Sequence, residues 1–195
     1  MSAVTRVYDN FTEAQTVVNK LEMAGVPAGD ISMVANQQVS TEHNNVTNAT
    51  EAGPGAEVGA VVGGGAGLLA GLGMMAIPGI GPVVAAGWLA ATALGAFAGA
   101  AAGGLIGAMV DSGVPEADAH VYSEAVRRGG TLVTVRTSAV PNQTVIATLD
   151  AHQPIDTAAR ADEYRSQGWS KYDPAAPAYK PSNTDLERMR RSQVL

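Results

Sequence analysis

From Val58 to Val110 the chain runs for 53 consecutive residues without a charged side chain, and 30 of them are Ala or Gly. An apolar stretch of this length cannot be left in water by a monomer, so it is expected to be buried in lipid or in an oligomer. The charge stops at Glu57 and resumes at Asp111. Residues 1–57 carry two basic and seven acidic side chains, and residues 111–195 carry ten basic and eleven acidic.

Pro78-Gly79-Ile80-Gly81-Pro82 divides the uncharged run, because two prolines four apart with glycines between them cannot continue a helix. Pro78, Gly79, Gly81 and Pro82 therefore mark a hairpin turn, and residues 57–112 are expected to form a helical hairpin. Its arms, residues 57–77 and 83–110, would reach ~30 Å and ~42 Å at 1.5 Å per residue, enough to cross a bilayer core. Small residues recur at every fourth position. Gly59, Gly63, Gly67 and Gly71 form one ladder, and Gly87, Ala91, Gly95, Gly99, Gly103 and Gly107 form a second. Such glycine zippers let helix backbones approach closely. Each four-residue step turns the small-residue stripe by roughly 40°. The second arm should then be packed on two sides, which predicts a homo-oligomer with the hairpins at its centre. Lipid burial and protein burial of the run both remain open, since few Lys or Arg residues flank it.

The flanks read as an α+β domain, split over residues 1–36 and 113–157. Val4 to Tyr8 suggests a strand, Asn10 followed by Glu13 a helix cap, and Gly25 with Pro27 a helix end. A second strand covers 31–35, and residues 37–56 form a polar linker. After the run, a helix is expected from Pro115 to Arg128, a strand over Thr131–Arg136, another helix from Asn142, and a short strand at Ile155. Residues 15–22 (QTVVNKLE) echo 143–150 (QTVIATLD). Two strand–helix–strand units with right-handed crossovers predict a ferredoxin-like split sheet with its helices on one face. Residues 158–195 add a helix and an extended tail, for which Trp169 is the expected anchor.

The segment from Gly113 to Val135 (GVPEADAHVYSEAVRRGGTLVTV) resembles part of the bacterial general-stress, or heat-induced stress, domain proteins. Val7-Tyr8-Asp9 with its following helix, and Arg160 through Trp169, are similar to other elements of the same family. The resemblance implies a stress-associated bacterial protein without enzymatic chemistry, and it supplies no catalytic residue.

The remaining residues point the same way. Zero cysteines exclude disulfides, thiolate metal sites and cysteine nucleophiles. A net charge of −6 with no basic block, and 5% aromatics, give no footprint for nucleic acid. His43, His120 and His152 lack ligand spacing, so no metal is expected. Gly65–Ala70 fits a loose dinucleotide pattern but follows no strand, so no cofactor is expected. Glu116, Asp118 and Glu124 read as solvated structural acids, and Arg127 and Arg128 as cations favouring a helix end. Met1 opens directly onto a strand-like run, so the expected location is cytoplasmic, with association to or insertion in the inner membrane if the hairpin enters lipid. The functional expectation is a non-enzymatic, self-assembling structural protein. The alternatives are a membrane-inserted hairpin that forms a pore or perturbs the bilayer, and a ligand-binding ferredoxin-like domain.

Overall fold

The computed structural model describes residues 3–36, 73–98, 104–177 and 179. The polar linker, the first-arm ladder of Gly59, Gly63, Gly67 and Gly71, and Gly99 and Gly103 of the second lie outside the described residues.

Strand β1 (Ala3–Tyr8) leads into α1 (Phe11–Met23), whose Asn10 side chain accepts the Glu13 N–H at 2.6 Å as the cap pair predicts. Helix α1 buries Phe11, Ala14, Val17, Val18 and Leu21 and ends at Gly25, which takes φ +91°. A short 3₁₀ turn (Ala28–Asp30) precedes β2 (Ile31–Asn36). Beyond the central run, α4 (Glu116–Arg127), β5 (Thr131–Arg136), α5 (Asn142–Asp150) and α6 (Thr157–Ser166) follow where the flank reading expects them. Ile155 is not in a strand; its N–H donates to the Val7 carbonyl at 2.8 Å, beside the outer edge of β1.

The uncharged run departs from the helical hairpin over its described part. Gly73–Ile77 is β3 and Gly81–Ala86 is β4, paired antiparallel around the Pro78–Ile80 turn, with Gly79 and Gly81 at φ +77° and +98°. The turn at Pro78–Ile80 joins strands rather than helices. A short apolar run bounded by Gly and Pro suits a fully buried strand as well as a helix. Here Val83 to Ala86 pair with Asn36 to Met33 of β2, and that ladder decides the matter.

The second arm is likewise not one helix. Gly87 takes φ +89°, and a Cβ there would lie 2.2 Å from the Ile31 carbonyl oxygen, so a tight left-handed corner separates β4 from α2 (Trp88–Ala98). Helix α3 (Gly104–Asp111) then packs back on α2. With 11 and 8 residues, these helices fall well short of a bilayer. No helix among the described residues is long and apolar enough to cross a membrane.

The fold is α+β, with one five-stranded antiparallel sheet of order β1-β5-β2-β4-β3 and six α-helices among the described residues. The last strand in sequence occupies the slot between β1 and β2. Thr5 faces Thr134 there, with their hydroxyls 3.1 Å apart. Alternating residues feed two cores. Tyr8, Ile31, Met33, Val84, Val133 and Val135 meet α1 and α5 on one face. Val7, Val34, Val83, Ala85 and Leu132 meet α2, α3, α4 and α6 on the other.

This corrects the expectation of helices on one face. The parallel pairs β1/β2 and β4/β5 interleave, and two connections of like hand would then put their helices on the same side. They lie on opposite sides, so the connections differ in hand, an uncommon arrangement.

Candidate functional site

The densest polar constellation among the described residues gathers at the carboxyl end of α4. Glu124 is only 2% exposed. Its Oε1 accepts from Arg127 Nη1 at 3.0 Å and from Arg128 Nε at 2.7 Å. The expectation of a solvated acid is therefore wrong for Glu124, although Glu116 is exposed in the first turn of α4. A carboxylate three and four residues before two arginines is the local signal for such a cluster, since these positions share a helix face.

Arg127 reaches three segments with its three nitrogens. Beyond Glu124, its Nε donates to the Gly79 carbonyl at 3.0 Å and its Nη2 to the Pro177 carbonyl at 2.9 Å. The turn is taken up carbonyl by carbonyl: Tyr172 Oη donates to Pro78 O, Arg127 to Gly79 O, and the buried Asn36 Nδ2 to Ile80 O at 3.3 Å. Arg128 donates to Gln167 Oε1 and lies 4.1 Å from the Tyr164 ring centroid. Tyr179 sits 5.3 Å from the Arg127 guanidinium and 5.1 Å from that of Arg128. Burial pushes the Tyr172 hydroxyl up to about 12, against the opposing pull of Arg127, so it is a protonated donor over the neutral range.

Ile77 and Ile80, at the tip of the turn, are 3% and 0% exposed. The two isoleucines of the turn are thus buried within one copy of the chain, while Pro78 is exposed. Trp169 is half-buried and meets Tyr164 edge to face at 5.8 Å, next to the point where the chain leaves α6.

The other charged groups tie elements together. Arg160 holds Asp9 through two 2.8 Å bonds, joining α6 to the end of β1, and Arg6 holds Asp150 at 2.7 Å. Trp88 Nε1 donates to Asp30 O at 3.2 Å while Arg136 covers its ring at 3.9 Å. An open groove of about 550 Å³ runs along α5, with Lys20, Gln143, Thr148 and His152 on its walls. Lys20 Nζ lies 2.8 Å from His152 Nε2, and burial together with the Lys20 charge lowers the affinity of that imidazole for a proton. Among the described residues no three His, Asp or Glu side chains gather as metal ligands.

Of the predicted self-association residues, the described ones, Gly87, Ala91, Gly95 and Gly107, fall on a corner and two separate helices. Gly87 belongs to the corner before α2, Ala91 lies on an exposed part of α2, Gly95 is within α2, and Gly107 sits in α3 with no atom within 4 Å of the position a Cβ would take. The second-arm zipper is corrected for a physical reason. Its period assumes one continuous helix, and the Gly87 corner and the separate α2 and α3 break that continuity. No family model, curated protein or solved structure matches the chain.

Proposed function

We propose that the chain is a non-enzymatic, stress-associated structural protein of the bacterial cytoplasm that self-associates through its uncharged segment. The observation that carries this reading is the use of its polar chemistry. The most buried charge cluster, Glu124 with Arg127 and Arg128, spends its donors on backbone carbonyls, an amide oxygen and a carboxylate of the same chain. That is the work of a scaffold and, among the described residues, leaves no convergent set of groups for a substrate. The resemblance of residues 113–135 to general-stress domain proteins supports the stress association. For self-association the support is the 53-residue uncharged run, whose first-arm glycines keep the four-residue spacing of a close-packing stripe.

Light scattering of the full chain without detergent, over a range of concentrations, tests the reading. A discrete multiple of the 19.8 kDa chain mass is expected, together with its reduction in a Gly63→Leu/Gly67→Leu variant. A monomer at every concentration overturns self-association. Carbonate-resistant pelleting with membranes overturns the cytoplasmic scaffold in favour of lipid insertion.

A further inference from the structure

After α6 the chain from Gly168 to Pro177 forms neither helix nor strand, yet it lies across the β3–β4 turn. Gly79 marks the crossing. A Cβ at that position would come within 2.6 Å of the Asp173 carbonyl oxygen and 2.8 Å of the Pro174 Cα, so the two backbones touch. Tyr172 inserts its ring, 7% exposed, and donates to Pro78 O. Farther along, Arg127 receives Pro177 O and both arginines face Tyr179. Between these points Asp173, Pro174, Ala175 and Pro177 are exposed, and the segment folds on itself through Ala176 N–H to Asp173 O at 3.1 Å.

Among the described residues the segment is held by the buried Tyr172 ring, hydrogen bonds to backbone carbonyls and cation–π contacts to Tyr179, the kind of local contact set that opens at low free energy without global unfolding. Ile77 and Ile80, buried at the apolar tip of the uncharged run, share one apolar cluster with Tyr172. Because the same Arg127 guanidinium grips Gly79 O and Pro177 O, loss of one partner loosens the other.

We infer that residues 172–177 together with Tyr179 form an autoinhibitory latch, gripped by Arg127 and Arg128, that keeps the β3–β4 turn closed; its release uncovers Ile77 and Ile80 and promotes association with a second copy of the chain. The second half rests on the self-association proposed above, and the occupant follows from continuity, since the uncovered tip belongs to the segment assigned to that contact.

The test compares the full wild-type chain with Tyr172→Ala/Tyr179→Ala and with the milder Tyr172→Phe. Amide exchange is followed at Ile80, whose N–H donates to Ile77 O, and along β5, the strand flanked by β1 and β2. The double variant should speed exchange at Ile80 by about tenfold while β5 is unchanged, with a smaller increase for Tyr172→Phe. Light scattering should show the double variant associating at lower concentration than wild type. Unchanged exchange at Ile80 in both variants overturns the latch. Should the double variant also lose protection in β5, Tyr172→Phe alone decides on the same criterion. Faster exchange with an unaltered association curve, in a wild-type chain that does associate, overturns the inhibitory role. If neither protein associates at any concentration, the self-association reading itself fails and the inhibitory role falls with it, while the exchange data still judge the latch as a local closure.

Discussion

Helices α4 and α2 pack on the same face of one sheet, and they are secured by opposite means. Helix α4 is amphipathic, burying Ala119, Val121, Tyr122, Ala125 and Val126, and its end is fixed by side-chain chemistry through Glu124, Arg127 and Arg128. Helix α2 contains no charge. It buries Leu89, Ala90 and Ala93, and its start is fixed where Gly87 turns against the Ile31 carbonyl and Trp88 Nε1 donates to Asp30 O. A charged segment can be positioned by pairing specific groups. An uncharged one depends on packing, contacts such as those of Trp88, and dihedral permission, so its corner glycines carry positional information that charges carry elsewhere.

This contrast can be attacked at each end. Glu124→Ala should have the largest effect. It leaves two arginines, 14% and 10% exposed, without their shared carboxylate, and removing one partner of a buried ion cluster costs about 3–5 kcal/mol. Denaturant midpoints measure this, and a loss under 1 kcal/mol would place the cluster among ordinary surface pairs. Gly87→Val should cost about 3 kcal/mol, because a β-branched residue is forced to positive φ and its Cβ into a carbonyl oxygen. A neutral outcome there would show that the β4–α2 corner is not the anchor of α2. Gly107→Ala should have the smallest effect and the opposite sign, a gain of about 0.5–1 kcal/mol from helix propensity in open space. A loss of stability or of assembly size would restore Gly107 to a packed interface and overturn the distinction between corner glycines and free ones.

The same contrast governs what could be read from the residues alone. The flanks are punctuated. Asn10 with Glu13, Gly25 with Pro27, Pro115, and Gly129-Gly130 each mark an end of an element, and the elements lie between those marks. In the uncharged run the same residue types serve as filling and as punctuation, so a four-residue spacing of Gly and Ala reads as a helical stripe although Val83 to Ala86 have a strand partner in β2. That partner is 47 residues or more away, and spacing does not encode it. Of the α4 cluster, the residues alone suggested a solvated acid and helix-end cations; the pairing of Glu124 with Arg127 and Arg128, and its burial, involve the distant turn and tail that Arg127 also reaches. Nothing local in Tyr172 or Tyr179 signals what they cover.

The position of β5 carries a consequence for how the molecule comes into being. Thr5 and Thr134 are 129 residues apart, and the strand that joins β1 to β2 is made after both, after the uncharged run and after α4. At 5–20 residues per second, the ribosome takes roughly 5–20 s to deliver β5 after β2 is complete. Throughout that interval β1 and β2 lack the neighbour that joins them, and the least charged part of the chain emerges beside them. Contacts of such long range also close slowly. The interval of greatest exposure for this protein is therefore its own synthesis, and it ends only when residue 136 is free to enter the sheet.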